Sequence, residues 1–230
     1  MSAEASAERV TGIILAGGQS RRFGSDKAAA VLRGRPLVQW VHDALAPAVS
    51  DLVIVTAAGQ TLPPMRPSSP VAVVEDREPQ RGPLAGIAAG LAAAPSPVCF
   101  VTSCDAPLLR PGVVERVVQA LDSYDVAMPE VGGFQQPLAA AYRREACLAV
   151  VEAALAAGTN KITAAFAPLA VLLLGEDQLR RVDPDLRSFR NANTPEALAE
   201  IAELLDTPAP AVVSARKKRS KPRTKSRRRH

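Results

Sequence analysis

Five short apolar runs, at residues 10–16, 51–56, 71–74, 96–102 and 125–128, are separated by segments of helical spacing. Each run is apolar on successive positions, as strands covered on both faces are. Between the first two, Leu37, Trp40, Val41, Ala44 and Leu45 recur at helical intervals behind Pro36, a residue suited to a first helical position. A small-residue helix is expected over 82–94 and another over 111–121. Strand followed by helix, repeated in this way, restricts the chain to an α/β domain around a mostly parallel sheet.

In such sheets ligands bind beyond the carboxyl ends of the strands. Gly17, Thr56, Asp76 and Asp105 each fall at or just past the end of a predicted strand, so one sheet edge should collect them. The first strand breaks into Gly17-Gly18, and a polar loop with Arg21 and Arg22 then closes on Lys27. Backbone amides without side chains can approach an anion closely, and the three cations add charge around the same point. The loop has neither the Walker A spacing nor the GxGxxG spacing of dinucleotide folds. What it offers suits a triphosphate and a departing pyrophosphate. Asp105, in a turn stiffened by Pro107, is the expected Mg²⁺ ligand, since this ion takes one or two carboxylates plus phosphate oxygens. Asp76 is similarly placed, with a solvated turn as the simpler alternative.

The later part of the chain is less regular. A polar turn at 133–138 leads into an apolar segment, 138–142. A helix is expected over 144–157, a short one over 161–166 and a strand over 169–174. Thr194-Pro195-Glu196 opens a last helix to about residue 205, with Glu196 three residues beyond Asn193 as in a capping box. The chain thus divides into a loose leader (1–9), one folded domain (10–205) and a Pro-containing linker with a basic tail (206–230).

Charge follows the same division. Ten of the 28 basic residues fall within 216–229, where there is no acid, so the rest carries 18 basic against 23 acidic residues. The pI of about 9.4 therefore belongs to the tail. That tail is expected to be disordered, and aids solubility, docks on an acidic partner, or binds nucleic-acid backbones in a salt-dependent way. It has no aromatics for base stacking. Cys99, Cys104 and Cys147 lack zinc spacing, and their odd number suits reduced thiols in a cytoplasmic setting. No apolar run reaches the length of a membrane span.

Four ordered motifs carry a family resemblance: LAGGQSRRFGSDK at 15–27, GPLAGI at 82–87, CDAP at 104–107 and NANTPEAL at 191–198. Together they resemble the nucleotidyltransferases of the glycosyltransferase-A-like fold, and among these the molybdenum cofactor guanylyltransferases, over about residues 10–205. The resemblance implies a three-layer α/β/α sandwich of Rossmann-like type. It implies transfer of GMP from GTP to molybdopterin or its molybdenum-loaded form, with Mg²⁺ and release of pyrophosphate. Transfer from CTP, or to another phosphorylated acceptor such as a sugar phosphate, is the alternative within the same chemistry.

By the same resemblance Leu15, Ala16, Gly17, Gly18, Lys27, Asp76 and Asp105 contact the nucleotide, and Asn191 and Asn193 lie near the reacting phosphates. Thr56 stands where relatives can carry asparagine and is carried over as a nucleotide contact. Arg22, Lys27 and Asp105 form the catalytic set. Gln136 and Pro137 fall on the acceptor side, with a polar hairpin turn as the alternative reading. Lys161 is assigned to the acceptor phosphate, or else to a solvated helix start. Cofactor-biosynthesis or acceptor enzymes are the expected protein partners.

Overall fold

The computed structural model describes residues 8–17 and 27–207. Strand β1 (Val10–Leu15) precedes a 3-10 turn at Lys27–Ala29 and a small hairpin of β2 (Val31–Leu32) and β3 (Arg35–Pro36). Next come α1 (Leu37–Leu45), β4 (Asp51–Ala57), β5 (Val71–Asp76), α2 (Pro83–Ala93), β6 (Val98–Ser103) and α3 (Pro111–Gln119). They are followed by β7 (Val126–Val131), β8 (Phe134–Gln135), β9 (Ala139–Arg143) and α4 (Arg144–Ala156). The last elements are α5 (Ile162–Ala165), β10 (Val171–Leu174), α6 (Glu176–Leu179) and α7 (Pro195–Asp206).

The main sheet runs in the order β10-β7-β9-β6-β1-β4-β5, with β8 paired to β7. β1 lies between β4 and β6 and is parallel to both, Ile13 pairing with Val53 on one side and Val101 on the other. From β1 the chain builds outward through β4 and β5, then crosses to β6 on the opposite side. That reversal is the crevice where open α/β sheets hold ligands. β9 is antiparallel to β6 and to β7. The apolar segment at 138–142 thus becomes a strand inserted into the sheet, because the β7–β8 hairpin turns the chain back between β7 and β6.

Period-two alternation sends the strand residues to two faces. Ile13, Val53, Val55 and Val101 pack with Leu84, Ile87 and Leu91 of α2 and with Val151 of α4. Ile14, Ile54 and Phe100 pack with Val41 and Leu45 of α1 and with Val113 and Val117 of α3. The result is the three-layer α/β/α sandwich that the motifs implied. Each fully buried branched aliphatic contributes about 1.5–3 kcal/mol. α2 can lie close to the sheet because of Gly90, where a Cβ would stand 2.5 Å from Ile13 Cγ2.

Most predicted elements are present, with boundaries shifted by one to three residues at several ends. Pro36 is the N-cap of α1 in extended conformation, rather than its first helical residue. The leader's last two residues are tied down, Arg9 to Asp51 at 3.1 Å and Glu8 to Arg143 at 2.6 Å. The rest of the leader and the tail from 208 onward lie outside the described residues. α7 reaches Asp206, and Arg187 fastens its end by donating to the carbonyls of Leu204 and Thr207 at 3.0 and 2.8 Å. All three cysteines are buried. Burial pushes the thiols of Cys99 and Cys147 up to about 12. Among the described residues no helix is long and apolar enough to cross a membrane.

Candidate active site

At the carboxyl end of β1, the Ala16 and Gly17 amides both donate to the Val55 carbonyl of β4, at 2.8 and 3.0 Å. The backbones approach so closely that a Cβ on Gly17 would stand 2.6 Å from the Ala57 nitrogen. Gln60 holds the same junction, donating to Ala16 O at 3.1 Å and accepting from Ala57 N at 2.8 Å. Glycine is therefore required at residue 17 for contact, not for a positive φ. The chain is next described at Lys27, which starts a 3-10 turn anchored by the fully buried Ala28.

Lys27, Asp105 and Asn193 meet at the centre of a cleft of about 790 Å³. The Lys27 ammonium pairs with Asp105 Oδ2 and donates to Asn193 Oδ1 at 2.7 Å. The other carboxylate oxygen, Oδ1, accepts from the hydroxyl of Ser103, the last residue of β6. The turn bearing Asp105 is fixed through the backbone: Cys104 N donates to Leu15 O at 3.0 Å and Ala192 N to Asp105 O at 2.8 Å. The second of these bonds brings Asn191 and Asn193 to the turn, while the Ala192 side chain packs with Leu37 and Ile201.

Asp76, at the end of β5, also lines the cleft. Burial raises its carboxyl above the ordinary range, against the opposing pull of the Glu78 amide, which donates to Oδ1 at 2.8 Å. Beside it, Gly82 at φ 70° leads into Pro83 and the start of α2, an N-terminus with no side-chain cap. Both residues line the cleft, as does Gly86 one turn further along α2, while the Ala85 amide is spent on the Gly82 carbonyl at 3.3 Å.

Leu15, Ala16, Gly17, Lys27, Asp76, Asp105, Asn191 and Asn193 are thus brought together as cleft-lining residues. Gly18 and Arg22 lie outside the described residues. Thr56 does not line the cleft. β4 continues one residue past its expected end, leaving Thr56 inside the sheet, 1% exposed, with its hydroxyl donating to Val74 O at 3.4 Å. Gln136 and Pro137 do not line it either; the Gln136 amide donates to Phe134 O at 3.2 Å, and Pro137 O accepts from Tyr142. Their neighbour Leu138 takes that place. Lys161, the exposed N-cap of α5, is not among the lining residues.

Two lining residues, Ser103 and Gln80, carry no sequence signal beyond being polar next to Asp105 and next to GPLAGI. The capping box also resolves differently. Thr194 is the N-cap of α7, its hydroxyl accepting from Ala197 N at 3.2 Å, and Asn193 is left to face Lys27.

Among the described residues no group of three or more His, Cys, Asp or Glu is placed to hold a metal. A caged zinc or calcium site does not fit this donor set. A single carboxylate flanked by amide oxygens does fit Mg²⁺, which completes its shell with water and substrate phosphates.

A lysine held between a carboxylate and an amide thus lies at the glycine-lined crevice of a mostly parallel sheet. The family profile described as the MobA-like NTP transferase domain matches residues 12–171. The molybdenum cofactor guanylyltransferase of Desulfosudis oleivorans is 41% identical over 193 residues, covering 83% of this chain and 93% of its own. The enzyme of the same name from Vibrio cholerae is 37% identical over 84% of this chain and 91% of its own. The crystal structure of molybdopterin-guanine dinucleotide biosynthesis protein A from Archaeoglobus fulgidus superposes with a TM-score of 0.71 at 26% identity, covering 85% of this chain and 98% of that one. The chain belongs to the MobA-like NTP transferase family.

Proposed function

We propose that this protein transfers GMP from GTP to the terminal phosphate of molybdopterin or molybdenum–molybdopterin, forming the guanine dinucleotide cofactor. The identity of nucleotide and acceptor rests on relatives named molybdenum cofactor guanylyltransferase that align over most of both chains. The observation that carries the chemistry is Lys27 between Asp105 and Asn193, beside the Gly17 junction.

An acceptor phosphate oxygen attacks the α-phosphorus of GTP. A new P–O bond forms as the bond to the bridging oxygen breaks, and pyrophosphate leaves with the electron pair. The acceptor is its own nucleophile, so the protein's contribution is positioning and charge. Leu15, Ala16 and Gly17 line the part of the cleft that takes the nucleotide, their close-packed backbone leaving room for it, and Asp76 helps to orient it. Lys27, with Arg22 from the preceding loop, neutralises the departing pyrophosphate. Asn191 and Asn193 direct amide groups to the reacting phosphates.

Asp105 would hold Mg²⁺ together with phosphate oxygens and water, supplying Lewis-acid polarisation of the α-phosphate. Leu138 lines the cleft directly after Gln136 and Pro137, the pair assigned to the acceptor. The buried, reduced cysteines agree with a cytoplasmic enzyme.

The deciding experiment incubates the protein with Mg²⁺, molybdopterin and either GTP or CTP, then detects the dinucleotide and pyrophosphate. Formation of the guanine dinucleotide is expected. Efficient transfer to a sugar phosphate with none to molybdopterin would overturn the assignment.

A further inference from the structure

Asp105 has two carboxylate oxygens, and both are engaged. Oδ2 is paired with the Lys27 ammonium and Oδ1 accepts from the Ser103 hydroxyl. The pair with Lys27 is largely shielded, its side chains being 18% and 10% exposed. Lys27 has a second acceptor at Asn193 Oδ1, 2.7 Å away, so it can leave Asp105 without losing every partner.

Ser103 is not needed to shape the turn. Main-chain bonds do that: Ala106 N to Ser103 O at 3.3 Å, Cys104 N to Leu15 O at 3.0 Å and Ala192 N to Asp105 O at 2.8 Å. Its hydroxyl donates to Asp105, which fixes the rotation of the carboxylate. A hydrogen bond to a charged acceptor is among the stronger ones and sets geometry as well as energy.

We infer that Ser103 is a positioning residue, which holds Asp105 Oδ1 and so commits Oδ2 alone to the exchange between the Lys27 ammonium and an incoming divalent cation. The inference rests on the proposed metal-assisted nucleotidyl transfer and adds a mechanism of control to it. Lys27 serves as the counter-ion of Asp105 until the metal–nucleotide arrives, and then keeps its bond to Asn193 and turns to the phosphates. The cleft should therefore take the cation together with nucleotide much better than the cation alone. Outer partners of metal ligands typically affect metal affinity about 10- to 100-fold.

The test is binding of Mn²⁺, followed by the loss of its free paramagnetic signal, to the full-length protein. It is measured for Mn²⁺ alone and with the non-transferable α,β-methylene analogue of GTP. Ser103→Ala should weaken binding in the presence of the analogue by about tenfold, and Ser103→Thr, which keeps the hydroxyl, should restore it. Lys27→Met should strengthen binding of Mn²⁺ alone by freeing Oδ2. Circular dichroism establishes that each variant is folded.

Asp105→Asn separates the two levels. If it abolishes Mn²⁺ binding while Ser103→Ala binds as the unmodified protein does, the role of Ser103 is refuted and the metal assignment stands. If Asp105→Asn retains full binding, the metal assignment itself fails and takes the Ser103 inference with it. Loss of binding in Ser103→Thr equal to that in Ser103→Ala would also overturn the inference, since the hydroxyl would then not be what matters.

Discussion

The Lys27 ammonium and the Asn193 amide oxygen are 2.7 Å apart, although 166 residues separate them in sequence. Lys27 starts a short 3-10 turn, and Asn193 immediately precedes the N-cap of α7. Their contact is made possible by the bond from Ala192 N to Asp105 O, which binds the late asparagine motif to the turn after β6.

Lys27→Met should lower kcat/KM for GTP by about 10²- to 10³-fold, the loss found when one charge-stabilising donor is removed from a reacting site. Asn193→Ala should cost less, because it removes a partner of the lysine and not the charge. The double variant should fall short of the product of the two, since contacting residues couple. Steady-state kinetics of all three proteins decides this; strict additivity would show that the 2.7 Å contact has no part in turnover.

Gly90→Ala should destabilise the fold while leaving the cleft chemistry intact. The new methyl would meet Ile13 Cγ2 at 2.5 Å and Val55 Cγ2 at 3.2 Å, lifting α2 from the sheet. Overpacking of this kind costs about 1–3 kcal/mol, a fall in Tm of about 2–12 °C for a chain of this size. A thermal melt within a degree of the unmodified protein would show that α2 accommodates the group.

Asp76 should give the stability a pH dependence of defined sign. Burial raises its folded-state carboxyl above the ordinary 3.8, so the folded protein binds this proton more readily than the unfolded chain. Its contribution is full below 3.8 and lost as the pH rises through the raised folded value. Asp76→Asn, which still accepts from the Glu78 amide, should be free of that loss. Urea midpoints of the two proteins between about pH 3.5 and 6 provide the comparison. Parallel curves would mean that the carboxyl titrates alike in both states.

Removal of residues 208–230 should leave GMP transfer within about twofold, because catalytic charge is assigned to Lys27, Arg22 and Asp105. It should also abolish binding to heparin or other polyanions at low salt, as ten basic residues leave with the segment. A truncated protein that is folded but inactive would place the tail in the reaction.

The sheet was readable because strands buried on both faces are continuous apolar runs, as 51–56 and 96–102 are. The gathering of Gly17, Asp76 and Asp105 followed from strand ends alone. Thr56 lies away from the cleft for the same reason: β4 ends one residue later than its apolar run suggests, and the side chain stays within the sheet. The apolar segment at 138–142 gave no sign of its direction or neighbours, which depend on pairing with β6 and β7. Asn193 and Thr194 are both good N-caps by type, and only the bond to Ala197 N decides between them. Ser103 is an ordinary strand residue until the orientation of the Asp105 carboxylate is known.

The clamp between Ala192 and Asp105 also sets a timetable for the nascent chain. The sheet strands from β1 to β10 are synthesised before Asn193, so of the two partners described for Lys27 the Asp105 carboxylate comes first. Nucleotide competence is consequently among the last properties to arise during synthesis. A translation product stopped at residue 171, where the family match ends, would contain most of the sheet and lack the asparagines that complete its cleft.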